Sequence, residues 1–187
     1  MCEPHISLFM LAADQVDVDV ILRRLAECAQ FRAPFLAYGG AYRPNPVGAP
    51  ELHFRKSTDW SGLQRAVVTA IEPVRGDRLR ELDPTGRRIA DLIAELRDAD
   101  PDSAQLRQLL RYGYDEIHDE AGDRFNPHIT LAWPAEPITV PLSDLPPVSA
   151  FDLEVSEVAA WVMGPWGTCV ERLGAFPLTG AVAPVPV

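Results

Sequence analysis

Hydrophobic positions along this chain switch between two periods, and the switches outline its elements. Ile6–Met10 is a short apolar run with the length of a strand buried on at least one face. Val18, Ile21, Leu22 and Leu25 then recur at helical spacing, with Asp17 available as N-cap, which predicts an amphipathic helix to about Gln30. Pro34 releases an extended segment over Phe35–Tyr38, followed by Gly39-Gly40 and a loop rich in Pro, Asn and Gly. Across Glu51–Lys56 the pattern alternates, Leu52 and Phe54 on one face, His53 and Arg55 on the other, as in a half-buried strand.

Helical spacing returns after Ser57-Thr58-Asp59. Trp60, Leu63, Val67 and Ile71 mark a second helix that should stop near Pro73. Ile89, Leu92, Ile93 and Leu96 mark a third, with Asp83-Pro84 as cap and first helical residue, and Leu106, Leu109 and Leu110 a fourth, ending near Gly113. Arg124–Trp133 is strand-like, and Phe151–Val162 and Cys169–Leu173 alternate around the turn-forming Gly164-Pro165-Trp166-Gly167. The order predicts an α+β fold, sheets with helices packed on their outer faces. Residues 1–180 read as one domain, and the Pro-rich stretch 181–187 as a disordered tail.

Two of the strand-like segments carry nearly the same phrase: Pro4-His5-Ile6-Ser7-Leu8 and Pro127-His128-Ile129-Thr130-Leu131. Residues two apart on a strand share a face, so each histidine shares one with a hydroxyl, while Ile6, Leu8, Ile129 and Leu131 face a core. Two imidazoles and two hydroxyls brought together supply an acid, a base and neutral donors to phosphate oxygens, a metal-free set for phosphodiester chemistry. By the same parity Phe9 lies on the His5 face, where it would stack on a base or ribose. Ala132 is its small counterpart, and Trp133 points into the core rather than onto a base.

Composition narrows the partners. With 187 residues, 47% of them hydrophobic, and no apolar run long enough for a bilayer, the chain reads as a cytoplasmic globular protein, with no membrane partner. Its formal charge of −10 argues against long nucleic acid but leaves room for a small nucleotide or RNA terminus in a locally basic pocket. Cys2, Cys28 and Cys169 form no metal or redox motif; Cys28 falls on the first helix's apolar stripe. No histidine stands at ligand spacing from another and no nucleotide-binding glycine motif appears, so no metal and no cofactor are expected. Arg55 is a candidate contact to a phosphate or base edge, against a plain solvated strand face. Tyr38, Tyr42 and Arg43 flank the turn-rich loop, Tyr38 being the candidate for substrate contact, and His118 in the acidic stretch reads as a surface histidine.

On the paired phrases His5-Ile6-Ser7-Leu8 and His128-Ile129-Thr130-Leu131, the chain resembles the 2H phosphoesterases, the LigT-like family of 2′-5′ RNA ligases and cyclic phosphodiesterases. Phe176-Pro177-Leu178 resembles the family's closing phrase. The resemblance implies two pseudo-symmetric antiparallel-sheet lobes around a central groove, with His5 and His128 as acid and base. It makes His128 the base and His5 the acid, and it places Ser7 and Thr130 on the non-bridging phosphate oxygens. The implied activity is metal-independent hydrolysis of a 2′,3′-cyclic phosphate to a 2′-phosphate, by a monomer. Other cyclic or 2′-5′-linked nucleotides, reversible RNA joining, and a non-catalytic nucleotide-binding module are the alternatives. Two features depart from the family pattern: only four residues precede His5, where a strand and a helix are usual, and Glu72–Asp123 is long.

Overall fold

Two amphipathic helices supply much of the main core. The first, α1 (Val18–Gln30), follows Asp17, whose side chain makes no capping hydrogen bond to it, and buries Leu25 and Ala29. The second, α2 (Thr58–Arg75), is capped by Ser57, whose hydroxyl accepts from the Trp60 N–H. Its stripe of Trp60, Leu63, Val67 and Ile71 meets Leu52, Phe54, Phe125, Val158 and Leu178 in one continuous cluster. Trp60 is the hub, with Phe35 edge-on at 5.0 Å and Phe54 and Phe125 each at 6.3 Å.

The computed structural model describes residues 3–45, 48–132, 141 and 144–180. Among these it is a mixed α+β protein with four helices and several antiparallel sheets. Strands β1 (Phe35–Ala37), β2 (Gly39–Pro44) and β3 (Pro50–Phe54) precede α2. Helices α3 (Ile89–Ala99) and α4 (Ala104–Tyr112) follow it and pair over their own small core of Ile89, Ile93, Leu106 and Leu109. Then come the short pair β4 (His118–Asp119) and β5 (Gly122–Asp123), and β6 (His128–Thr130). Strands β7 (Leu153–Val155), β8 (Glu157–Met163) and β9 (Cys169–Pro177) complete the chain. The sheets run β2-β3-β6, β1-β7, β8-β9 and β4-β5, with every pair antiparallel. No helix among the described residues is long and apolar enough to cross a membrane.

The expected strand at Ile6–Met10 is not formed. That segment pairs with no strand among the described residues, yet Ile6, Leu8 and Phe9 pack against the main core. Its apolar pattern reports burial, which a coil satisfies as well as a ladder does. Pro73 does not end α2 either, because it falls in the last turn; the helix runs on to Arg75 and stops at Gly76, φ 58°. Asp83 caps a turn instead of α3: its Oδ1 accepts from the Thr85 and Arg87 N–H groups, and the helix begins only after Arg88. In α4, Leu110 is exposed while Gln108 is fully buried. Trp133 and the stretch 181–187 lie outside the described residues.

One buried side chain ties the irregular pieces together. Gln64 of α2 donates through Nε2 to the Leu8 carbonyl at 3.0 Å and the Glu116 carbonyl at 2.7 Å, and Oε1 accepts from the His118 N–H at 2.9 Å. Gln64→Leu keeps the volume but leaves these backbone groups unpaired, at a cost of about 2–4 kcal/mol. Thermal denaturation should show Tm lower by about 5–10 °C. A variant that melts with the wild type would remove this tie from the account.

Candidate functional site

The second phrase sits in a ladder, and the ladder assembles a polar group around it. In β3 the alternation sends Leu52 and Phe54 into the core, leaving Glu51 and His53 on the opposite face. The antiparallel register sets His53 directly opposite His128 and Glu51 directly opposite Thr130. Side chains directly opposite share a face, so Glu51, His53, His128 and Thr130 form a quartet on one side of β3–β6. The two imidazoles stack, centroids 5.3 Å apart and planes 25° from parallel.

Glu51 lies between the histidines. Its Oε2 accepts from His53 Nε2 at 2.9 Å, and its Oε1 stands 3.6 Å from His128 Nε2, although the residue is only 7% exposed. The other ring nitrogen of His128, Nδ1, donates to the Asn126 carbonyl at 2.7 Å. A second carboxyl, Glu116, faces the same group. Burial pushes its pKa up, the His128 charge pulls it back, and Asp115 and Glu51 add to the rise. Tyr114, fully buried, donates its hydroxyl to Glu116 Oε2 at 3.1 Å, and burial raises its pKa well above the usual range.

The first phrase lies elsewhere. His5, Ser7 and Phe9 are on the unpaired segment and line a cleft of about 680 Å³ between that segment, α1 and α2, and the edge of β7 and β8. Ile129 also lines this cleft, and by strand parity His128 and Thr130 are on the other face of β6. Among the described residues no hydrogen bond or ring contact joins His5 or Ser7 to His128 or Thr130. Locally, the two histidines are held alike: His5 Nδ1 donates to the Glu3 carbonyl at 2.9 Å, the carbonyl two residues upstream, as in His128. Phe9, expected to face a nucleotide, packs edge-on against Tyr114 at 5.9 Å. That contact links the cleft to Glu116 and so to the quartet.

Tyr38 and Arg55 are joined through backbone, the Arg55 N–H donating to the Tyr38 carbonyl at 2.9 Å, and both side chains are exposed beyond the end of β3. His118 is half-buried rather than a free surface residue, its Nδ1 3.1 Å from Asp123 Oδ1, while Lys56 holds the other oxygen at 2.9 Å. Burial pushes the Asp123 carboxyl up, but hydrogen bonds from Lys56 and His118 more than offset it and leave it below its ordinary pKa.

Three site groups went unread in the sequence. Glu51 had a signal, since it shares the alternating polar face of His53 and Arg55. Glu116 and Arg80 had none, because both lie in the long middle segment without a repeat. Arg80 stacks over Tyr114 at 5.7 Å and lines the cleft, and burial draws its guanidinium below the usual pKa. No group of three or more His, Cys, Asp or Glu among the described residues is arranged to hold a metal ion. No protein-family model, curated protein or solved structure matches this chain.

The Glu116 environment has a pH signature. A carboxyl whose folded pKa is raised contributes most below its unfolded value, and the contribution is lost as pH rises through the folded pKa. Glu116→Gln should therefore match the wild type at acidic pH and gain on it above. By pH 8 its Tm should be higher than that of the wild type. Parallel melting curves at pH 5 and pH 8 check it, and an advantage that shrinks with rising pH would contradict the assignment.

Proposed function

We propose that this protein is a metal-independent phosphodiesterase of the 2H kind. Its leading substrate is a 2′,3′-cyclic phosphate on a nucleotide or RNA end, opened to the 2′-phosphate. The observation that carries the reading is the equal anchoring of His5 and His128. Each ring donates Nδ1–H to the carbonyl two residues back, which fixes its orientation and tautomer and leaves Nε2 as the reacting atom. In each phrase a hydroxyl stands two residues further on.

Water attacks phosphorus and the bond to the ribose 3′-oxygen breaks. One imidazole takes the proton from water and the other protonates the departing oxygen. Ser7 and Thr130 hydrogen-bond the non-bridging oxygens as charge builds there. On this reading the bound phosphate bridges the two phrases.

The lack of a direct contact between the two phrases among the described residues favours a second reading, a nucleotide-binding module with little turnover. The alternatives within enzymes are other cyclic or 2′-5′-linked nucleotides and reversible RNA joining. A panel of cyclic and linear phosphodiesters with excess EDTA separates these. Hydrolysis of a 2′,3′-cyclic nucleotide should persist in EDTA, and His5→Ala and His128→Ala should each lower kcat by about 10²–10⁴. Collapse on EDTA would end the metal-independent claim. Saturable binding without turnover would select the binding module.

A further inference from the structure

The quartet on β3–β6 holds more than the second phrase requires. With Nδ1–H donated to Asn126, His128 has only Nε2 left to react, and among the described residues that atom makes no hydrogen bond. Glu51 Oε1 at 3.6 Å forms an ion pair with it only when His128 carries its second proton. The distance matters: the carboxylate supplies charge without a short bond that would compete for the proton. Glu51 is itself held in place, because Oε2 accepts from His53 Nε2 at 2.9 Å and the His53 ring stacks on His128.

We propose that Glu51 is a positioning residue that makes His128 the proton donor of the site, with His53 as the clamp on its carboxylate. The inference rests on the phosphodiesterase reading for its consequence and reverses the roles implied by the family resemblance. His128 Nε2 gives its proton to the ribose 3′-oxygen as that oxygen leaves phosphorus, and His5 Nε2 takes a proton from the attacking water. The new bond is water oxygen to phosphorus; the two histidines end with their protonation exchanged and re-equilibrate with solvent. The charged and titratable groups facing His128 are Glu51 and His53 from β3 and Glu116 from the segment before β4.

The test compares wild type with Glu51→Gln, Glu51→Asp and His53→Gln, using histidine-labelled NMR across pH 5–9 and the pH–rate profile on 2′,3′-cyclic AMP. Glu51→Gln should move the His128 titration curve to lower pH while His5 stays in place, because the facing negative charge at 3.6 Å is gone. Glu51→Asp, which keeps the charge, should restore most of the wild-type curve. The alkaline limb of the rate profile should fall with the His128 curve. An unmoved His128 curve, or movement of the acidic limb instead, overturns the proposal. If Glu51→Gln does not fold, His53→Gln loosens the same carboxylate and must still move His128 toward lower pH. Should no cyclic phosphate be turned over while His128 responds as described, the phosphodiesterase reading fails and the positioning of His128 by Glu51 stands.

Discussion

The buried carboxamide of Gln64 is the interaction on which the site's surroundings depend. Around the quartet and the cleft, much of the chain is neither helix nor extended sheet, so its backbone groups cannot be satisfied by repetition. Gln64 reaches three of them from one rigid helix: Leu8 in the first phrase's segment, Glu116 beside the quartet, and His118 at the start of β4. A carboxamide suits this place because it donates and accepts at once and carries no charge to desolvate. Gln108 does the same for the β4–β5 hairpin, donating to the Ile117 and Gly122 carbonyls and accepting from the Ile117 N–H. Together they satisfy irregular backbone that no ladder reaches, which ties the segment carrying Tyr114 and Glu116 to α2 and α4.

The second constraint is strand register. A shift of one residue between β3 and β6 would send Glu51 and His53 away from His128, because side chains alternate across the sheet. The register is held by the buried side of the same strands, where Leu52 and Phe54 join the Trp60 cluster and Ile129 packs behind His128. Core packing on one face therefore determines which polar groups meet on the other. A carboxylate as buried as Glu51 is tolerated because two imidazoles flank it.

Much of this was legible in the amino-acid order. The stripes of α1 and α2 and the alternation of Leu52 and Phe54 against His53 stand in the structure as read, because each is a local pattern with one satisfactory burial. The failures share a cause. Ile6–Met10 has the side-chain pattern of a strand, but a strand also needs a partner edge, and a pattern within one segment cannot name one. Pairing of His53 with His128 was equally hidden, since register between segments distant in the chain depends on the whole core. Glu116 and Arg80 acquire their character from burial beside Tyr114, which no motif announces.

The same phrase therefore occurs once as strand and once as coil, yet its histidine is anchored identically in both. The explanation lies in the residue before it. Pro4 and Pro127 force the residues ahead of them, Glu3 and Asn126, toward extended backbone. That geometry brings the carbonyl two positions upstream beside the imidazole, where Nδ1–H meets it at 2.9 Å in one phrase and 2.7 Å in the other. The Pro-His pair thus encodes a ring orientation that survives changes in the surrounding secondary structure. Sheet pairing decides which neighbours each Nε2 meets: Glu51 and a second histidine for His128, an open cleft wall for His5. On the proposed phosphodiesterase reading, identical local wiring with unequal surroundings is what would let two copies of one phrase take opposite halves of an acid–base reaction.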